Sequence, residues 1–579
     1  MIRQLLSGTK KYKKQMILTP ITMFGEVLME VLIPYIMALM IDNGIKGSYG
    51  LPYTIKMGLL MIGAAMFALL FGVLSAKYAA EGSLGMAANL RKRLFDKVQD
   101  FSFSNIDQFS TASLITRITT DVTNVQRAAM MLIRVGARAI FMFVGALFMA
   151  VRTNVELSVV FVIIVPVIAI AVVIIASKAM PRFKEMLKKY DDLNLDVQEN
   201  LTGIRVVKAF VREDYENDKF TKGADIVRKT QLGAEKIVIW GMPIMFMTMS
   251  ISVISVLWFG SDLLMNGQLE VGQLTSFTTY IFQVLIALMM VAMVMINLVL
   301  SRASASRIVE VLDAKIDLKD DNANSKLALD DSSITFEKVS FQYAKESKQE
   351  TLEDINLSIK AGQTVGILGG TGSGKTTLVQ LIPRLYDVTK GELKVGGHSV
   401  KDYSLATLRN DVAMVLQNNI LFSGTIKDNL RWGNPQASDE LLEQACKWAC
   451  AHDFIMDFPD QYDTELGRGG VNVSGGQKQR LCIARALLKA PKVVILDDST
   501  SAVDTATDSK IRAAFKEQLK TTTTIVVAQR ITSIMEADLI IVMDEGTINA
   551  VGTHAELLKS NQIYQEVYNS QQRGDEQNG

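Results

Sequence analysis

The sequence is poor in cysteine, histidine and proline, and each scarcity excludes a class of protein. Its 579 residues include three cysteines that form no CxxC pair, so a disulfide scaffold is excluded. Three widely spaced histidines leave little material for a histidine-based metal site. Ten prolines and 39 glycines exclude collagen-like and proline-rich low-complexity chains.

Neither sign of charge dominates the sequence. Lysine and arginine number 61 against 60 aspartates and glutamates, which gives a net charge of +1. This balance excludes a strongly basic protein, so no nucleic-acid partner is expected. Hydrophobic residues make up 49% of the chain, and the mean hydropathy is +0.22. Apolar residues must therefore be concentrated in part of the chain.

The two halves differ in composition. Twenty-five of the 29 methionines precede residue 301, and the long uncharged apolar runs end at the same place. Short β-like runs, glycine-rich turns and amphipathic helices follow from about residue 333. The sequence therefore predicts a transmembrane domain over 1–315, a polar linker over 316–332 and a second domain over 333–579.

The first half contains six apolar stretches, each long enough to cross a bilayer. The first is too long for a removable signal peptide and lacks a small-residue cleavage site. Lysine and arginine are concentrated in the N-terminal segment and in the two long loops, which places both termini and these loops in the cytoplasm. The loops read as helical extensions of the spans, with breaks near Asn105–Ser113 and Arg212–Asp218. The six spans lie near 16–41, 55–80, 129–151, 155–177, 237–264 and 274–300.

A phosphate-binding motif follows the first strand-like run of the second half. Residues 362–377 read GQTVGILGGTGSGKTT, in which Gly369, Gly374, Lys375 and Thr376 fit the P-loop pattern between an apolar strand and a helix. Lys375 is expected to reach the β- and γ-phosphates, and the Thr376 hydroxyl to contact Mg²⁺. The predicted ATP-binding loop comprises Gly369, Gly370, Thr371, Gly372, Ser373, Gly374, Lys375, Thr376 and Thr377.

Two further motifs suit the same chemistry. The apolar run KVVILDD ends in Asp497 and Asp498, which places carboxylates at the end of a parallel strand, where a P-loop site holds its metal. Between the two motifs, Ser474, Gly475 and Gly476 precede a helix, whose free N–H groups can bind an anion.

These motifs, in this order, resemble the ATPase domain of ABC transporters. Six spans with long loops ahead of such a domain resemble the exporter half-transporters, and the resemblance covers nearly the whole chain. It implies a six-helix membrane domain followed by an α/β P-loop ATPase domain, with ATP and Mg²⁺ as cofactors. By the same resemblance, SGGQ, which ends in Gln477, is the signature.

Other positions can be matched to the family one at a time. Tyr343 stands where the family stacks an aromatic ring on adenine, with an ordinary strand aromatic as the alternative. Gln417 matches the family's Q-loop glutamine, which touches Mg²⁺, with a surface loop amide as the alternative. Ser501–Asp504, which ends in Asp504, matches the D-loop, with a plain turn as the alternative. The metal contacts implied are Thr376, Gln417 and Asp497.

Two positions depart from the family pattern. The family usually has Glu after the strand-end Asp as general base, whereas this chain has Asp498, which is one methylene shorter. The family's switch histidine is replaced by Gln529, whose neutral amide cannot carry a proton. The two departures together predict a slow or inactive catalytic site.

The signature is intact although the catalytic positions are altered. In this family two ATPase domains pair head to tail, so the signature completes the partner's site. The pattern resembles one half of bacterial heterodimeric multidrug exporters. It implies a second ABC half-transporter as partner, a lipophilic small-molecule substrate and a multi-pass location in the bacterial plasma membrane. Two alternatives are a homodimeric lipid flippase or exporter with slow ATPase, and an ATP-gated regulatory subunit.

Charged residues lie within two of the spans. Glu26 and Glu30 share one helical face, and Arg134 and Arg138 have the same spacing near the third span. They form either a cation-attracting or proton-linked site, or a structural Glu–Arg cluster, or arginines below the membrane; the structural interpretations are preferred. Methionines near 242–249 and 289–295 suit varied lipophilic ligands and lipid-facing packing equally.

Overall fold

The computed structural model describes residues 4–5, 8–320, 324, 327–343, 350–498 and 503–578. Backbone contacts divide the chain into two compact units. The first unit comprises Met1–Gln99 and Thr111–Ala314, and the second comprises Asp100–Ser110 and Lys315–Gly579.

Within the described residues, six helices of the first unit are long and apolar enough to cross a membrane. Each contains one of the six predicted spans, so that prediction is confirmed. Five of them have 43 to 53 residues. At a rise of about 1.5 Å per residue, they far exceed the roughly 30 Å hydrocarbon core. They are Lys13–Ile45, Gly50–Gln99, Thr111–Thr153, Val155–Thr202, Glu213–Met265 and Val271–Asp313.

Several of these helices contain irregular turns. The first is α-helical over Lys13–Leu39 and continues as a π-helix over Met40–Ile45. The fifth is interrupted between Val238 and Gly241. The third is α-helical over Thr111–Thr116, Val122–Met130 and Ala137–Thr153, with wide turns over Arg117–Asp121 and Met131–Gly136.

Short helices separate the long ones at two places. Phe103–Phe109 is capped by the Ser102 side chain and ends at Ser110, whose φ is 55°, near the first predicted break. The second predicted break, near Arg212–Asp218, is wrong, because a helix already begins at Glu213. Three acidic residues in its first turn favour a helix N-terminus there. The chain instead turns over residues 203–212, around the short helix Ile204–Ala209.

The second unit contains two main sheets. The four-stranded sheet has the order β2-β1-β4-β5, and the six-stranded sheet has the order β12-β11-β3-β10-β9-β6. Strands β11, β3, β10, β9 and β6 are parallel, and β12 is antiparallel at the edge. The strands are β1 Ile334–Phe341, β2 Leu352–Ile359, β3 Thr364–Gly369, β4 Lys390–Val395, β5 His398–Ser399, β6 Val412–Val415, β7 Gly424–Thr425, β8 Glu465–Leu466, β9 Val493–Asp497, β10 Thr523–Val527, β11 Leu539–Asp544 and β12 Thr547–Gly552.

The helices of this unit surround the six-stranded sheet. Continuous apolar runs such as VVILD and TTIVV form strands that are buried on both faces, as expected of a covered parallel sheet. The carboxyl ends of β3, β10 and β9 meet at one edge. The helices are Lys375–Leu381, Leu405–Asp411, Ile426–Arg431, Asp439–Trp448, His452–Met456, Gly475–Leu487, Thr505–Gln518, His554–Ser560 and Gln562–Asn578. The predicted fold class, a six-helix membrane unit followed by an α/β unit, is confirmed.

Candidate functional site

The glycine-rich loop joins the central strand β3 to the helix Lys375–Leu381. Gly372 and Gly374 have φ angles of 83° and 91°, a conformation that side chains with a Cβ rarely adopt. A Cβ on Gly374 would also lie 2.7 Å from the Leu352 side chain. Nothing lies within 4 Å of the Cβ positions of Gly370 and Gly372, so the space beside these backbone groups is open. The loop can therefore bring its N–H groups close to phosphate oxygens.

The Lys375 ammonium group closes over the start of this loop. Its Nζ donates hydrogen bonds to the carbonyl oxygens of Gly369 and Gly370, at 2.9 and 2.6 Å. Burial lowers the pKa of Lys375, and the nearby carboxylates of Asp497 and Asp498 act against that shift. A cation thus stands at the mouth of the glycine-rich loop.

Asp497, the last residue of β9, is buried beside the helix that follows the loop. Its Oδ1 accepts a hydrogen bond from the Thr376 hydroxyl at 3.0 Å. Its Oδ2 is buried and has no hydrogen-bond partner among the described residues. Burial raises the pKa of Asp497. An unpaired carboxylate oxygen next to a hydroxyl is an oxygen-donor set of the kind Mg²⁺ prefers, so these residues fit that ion.

Asp498 lies in the left-handed region, with φ at 50°. Its Oδ2 accepts hydrogen bonds from the side-chain amides of Gln529 at 3.0 Å and Gln417 at 3.4 Å. Its backbone N–H donates to the Val527 carbonyl at 3.0 Å. Burial raises the pKa of Asp498, and the hydrogen bond from Gln417 partly offsets this effect. The two residues that depart from the family pattern therefore contact each other directly.

Tyr343 follows β1 and reaches the same helix. Its hydroxyl is 3.0 Å from the hydroxyl of Thr377, and its ring meets those of Phe341 and Tyr386 edge-on, with centroids 4.9 and 5.2 Å away. Tyr343 is 47% exposed, so part of this aromatic residue remains open to a ligand beside the loop.

Ser474 begins the helix Gly475–Leu487. The Ser474 side chain accepts from the Gln477 N–H, and the Gln477 side chain accepts from the Ser474 N–H, a reciprocal capping box. Ser474 and Gly475 are exposed. No hydrogen bond or ion pair among the described residues joins this cap to the phosphate loop. The structure therefore presents the signature at the surface of the unit rather than at its own loop.

The remaining predicted position is Asp504. It caps the helix Thr505–Gln518 by accepting from the Thr507 N–H at 2.9 Å, and this bond lowers the pKa of Asp504. Ser501, at the start of the same predicted loop, lies outside the described residues.

The motifs did not indicate three residues that border this site. The Gln479 amide donates to the Asp498 carbonyl at 3.3 Å. The Tyr386 hydroxyl donates to the Asp107 carboxylate at 2.7 Å, which ties the helix Phe103–Phe109 to the aromatic group around Tyr343. The sequence could have indicated Gln479, because it lies within one helical turn of the signature SGGQ. It could not have indicated Asp107, which is 279 residues away from Tyr386.

The chain resembles known proteins over nearly its full length. Two family profiles match, the ABC transporter transmembrane region over residues 16–289 and ABC transporter over residues 352–501. The uncharacterized ABC transporter ATP-binding protein YfiB of Bacillus subtilis is 36% identical over 570 residues, which cover 98% of each chain. The ATP-dependent lipid A-core flippase of Desulfotalea psychrophila is 33% identical over 83% of this chain and 84% of its own.

A solved structure has the same fold. A bacterial Atm1-family ABC exporter with ATP bound superposes with a TM-score of 0.81, over 96% of this chain and 98% of the other. The two sequences are 24% identical. At that level the likeness concerns the fold alone.

Proposed function

The chain belongs to the ABC transporter family, as a half-transporter of the exporter type, and from this premise we propose that it is the degenerate-site subunit of a heterodimeric exporter. The family makes it a multi-pass bacterial membrane protein that binds ATP and couples ATP hydrolysis to export. Exporter half-transporters act as dimers. Beyond the family assignment, we propose three things: that the dimer is a heterodimer, that its two ATP sites have unequal roles, and that its cargo is lipophilic.

The hydrogen bond between Gln529 and Asp498 is the observation that carries the proposal. A general base needs a free oxygen at about 2.6–3.2 Å from the attacking water. Here the amides of Gln529 and Gln417 both donate to the same oxygen, Oδ2, of Asp498. These hydrogen bonds occupy that oxygen, and the side chain is one methylene shorter than Glu. Both effects favour slow hydrolysis at this chain's own site.

The surface position of Ser474 supports the second half of the proposal. Its hydroxyl and the amides of Gly475 and Gly476 stand at a helix N-terminus, where they can stabilise negative charge. In a head-to-tail dimer they would act on the γ-phosphate held by the partner. This chain would then contribute a working signature to the ATP site on the partner's phosphate loop. The ATP site on its own phosphate loop would hydrolyse ATP slowly.

Mg²⁺ is part of the proposal. Thr376, Gln417 and Asp497 would hold the ion, which would neutralise phosphate charge when bound. The unpaired Oδ2 of Asp497 supports this assignment. We also propose the division into a membrane domain over 1–315, a linker over 316–332 and an ATPase domain over 333–579.

The proposed cargo is a drug or another lipophilic compound. Six apolar spans and methionine-rich stretches provide flexible apolar surface for such molecules. A second candidate, a homodimeric lipid flippase or exporter, is favoured by the 33% identity to a protein named as a lipid A-core flippase. In a homodimer both ATP sites would contain Asp498 and Gln529.

The ATPase rate of the purified chain separates the two candidates. We expect the chain alone to hydrolyse ATP at least about a hundredfold more slowly than the complex with its partner, the lower end of what a positioned base contributes. The partner is obtained by co-purification from the source membrane and identified by mass spectrometry. Robust ATPase from the chain alone would favour the homodimer.

A further inference from the structure

Four helices of the first unit bring charged and polar side chains together within the membrane spans. Glu26 and Glu30 are the only charged residues between Lys14 and Asp42 on the first span. Arg138 of the third span lies between their carboxylates. We call Glu26, Glu30 and Arg138 the intramembrane cluster. The three side chains therefore meet as ion pairs, which both the structural and the cation-attracting interpretation of the sequence allow.

Arg138 binds both carboxylates of the cluster. Its Nη1 pairs with Glu26 Oε1, and its Nη2 donates to the two oxygens of Glu30 at 2.7 and 3.0 Å. The side chain of Glu26 is 9% exposed, whereas those of Glu30 and Arg138 are 27% and 26% exposed. The Glu26 side chain is therefore almost inaccessible, whereas one edge of the Glu30 side chain is accessible from outside the cluster.

The charges within the cluster do not balance. Two carboxylates face one guanidinium, so the cluster carries one excess negative charge when both are ionised. Arg138 is the arginine that pairs with both carboxylates, whereas Arg134, one turn away on the same helix, forms no ion pair with either of them.

The other packed helices bring no compensating charge. The second span has none between Lys56 and Lys77, and the sixth has none between Glu270 and Arg302. A net charge within a membrane span is costly, so the cluster favours an additional positive charge.

Hydrogen bonding in the same region is also incomplete. Within the membrane spans of these four helices, four buried polar atoms of described residues lack a hydrogen-bond partner. Glu26 Oε2 points toward the second span, where a Cβ on Gly72 would lie 3.2 Å from it. Gln283 donates to the Glu30 carbonyl at 3.4 Å but its own oxygen is unpaired. The unpaired atoms are Glu26 Oε2, Ser75 Oγ, Arg138 Nε and Gln283 Oε1.

We propose that the intramembrane cluster recognises the positive charge of a lipophilic organic cation, and that such cations are the cargo class of this transporter. This inference rests on the proposed export function. The cation enters at the open edge of Glu30, while Glu26 and Arg138 remain a neutral pair. A proton competes with the cation for the excess negative charge of the cluster, and it leaves to water when the cation binds. One positive charge therefore replaces another.

The surroundings select an organic cation over a metal ion. A hard divalent ion needs about six oxygen ligands, and Arg138 already occupies most carboxylate oxygens of the cluster. Phe24 and Phe141 form an edge-to-face pair with centroids 5.4 Å apart. This pair joins the same two helices that carry Glu26 and Arg138, and aromatic rings attract organic cations.

Two probes of matched size and opposite charge test the proposal. The full chain in nanodiscs is titrated with tetraphenylphosphonium and with tetraphenylborate, and binding to empty nanodiscs is subtracted. We expect the phosphonium ion to bind at least about tenfold more tightly, which corresponds to about 1.4 kcal/mol. Glu30→Gln should bring the two affinities within about twofold, whereas Glu30→Asp should retain the preference. Glu156→Gln, the same change at an exposed carboxylate in the first turn of another span, should have no effect.

Proton exchange gives a second readout. Phosphonium affinity should fall as the pH is lowered, by at most about tenfold per pH unit for a one-proton exchange, and Glu30→Gln should remove this dependence. Equal affinity for the two probes, or an unchanged preference in Glu30→Gln, would overturn the inference. Labelling of the phosphate loop by a photo-crosslinking ATP analogue confirms that each variant is folded. Probe binding does not depend on the ATPase rate, so the heterodimer proposal can fail without affecting this result.

Discussion

Restoring the two altered positions should turn the chain's own ATP site into an active one. In the double variant Asp498→Glu, Gln529→His, the carboxylate gains one methylene, roughly 1.5 Å of reach. The amide that donates to Asp498 Oδ2 at 3.0 Å is removed at the same time. Because SGGQ is intact in this chain, a homodimer of the double variant would contain Glu, His and SGGQ at the positions that the proposal assigns to the base, the switch and the signature.

The structure sets the expected gain. A positioned general base contributes about 10²–10⁴-fold to a rate. Position 498 has a φ of 50°, and Glu tolerates a left-handed backbone less well than Asp, which would reduce the population of the productive geometry by up to about tenfold. The double variant should therefore hydrolyse ATP between about tenfold and about a thousandfold faster than the unaltered chain. Either single change should give less, because each leaves one defect in place.

The assay is phosphate release by the purified chain in nanodiscs, with dimer formation checked by mass photometry. Lys375→Ala on the double-variant background should abolish the gain, which would show that the new activity comes from this phosphate loop. If the double variant binds ATP and dimerises but is no faster, the reach of the base and the switch residue do not limit the rate. The reasoning from Asp498 and Gln529 would then be refuted.

Two further predictions concern single substitutions. Lys375→Ala should weaken nucleotide binding at this site, because the cation at the mouth of the loop is lost, and a photo-crosslinking ATP analogue should label it less; unchanged labelling would contradict the assignment. Gly272→Ala should destabilise the membrane unit by about 1–3 kcal/mol, because its Cβ would lie 2.4 Å from the Ala38 carbonyl oxygen. Thermal unfolding should show this loss, whereas the control Gly58→Ala, whose Cβ meets nothing within 4 Å, should unfold at an unchanged or higher temperature.

The sequence predicted the parts of the fold that hydrophobic patterning controls. Six apolar runs gave the six spans, and the runs that end at Gly369 and Asp497 gave the two strands that carry the site. The break near residue 212 was misplaced because the acidic first turn at Glu213 begins a helix. A hydropathy pattern does not show where a polar helix begins.

Contacts between residues far apart in sequence could not be predicted. Motifs identified Asp498 and Gln529 separately, but their hydrogen bond depends on β9 and β10 being neighbours in the sheet. The helix spacing of Glu26 and Glu30 was visible, yet it did not show that Arg138 rather than Arg134 pairs with them. The Tyr386–Asp107 bond joins two segments 279 residues apart, and no pattern within either segment indicates it.

The most direct test of the account compares two substitutions in the assembled heterodimer. Ser474→Arg removes the hydroxyl and adds bulk at a helix cap that faces the partner's site in our account, so it should nearly abolish ATPase activity. Asp498→Asn should reduce activity only modestly, because our proposal assigns little hydrolysis to that site. Co-purification with the partner shows that each variant assembles. If Asp498→Asn is as damaging as Ser474→Arg, this chain's own site is catalytic and the degenerate-site proposal is contradicted.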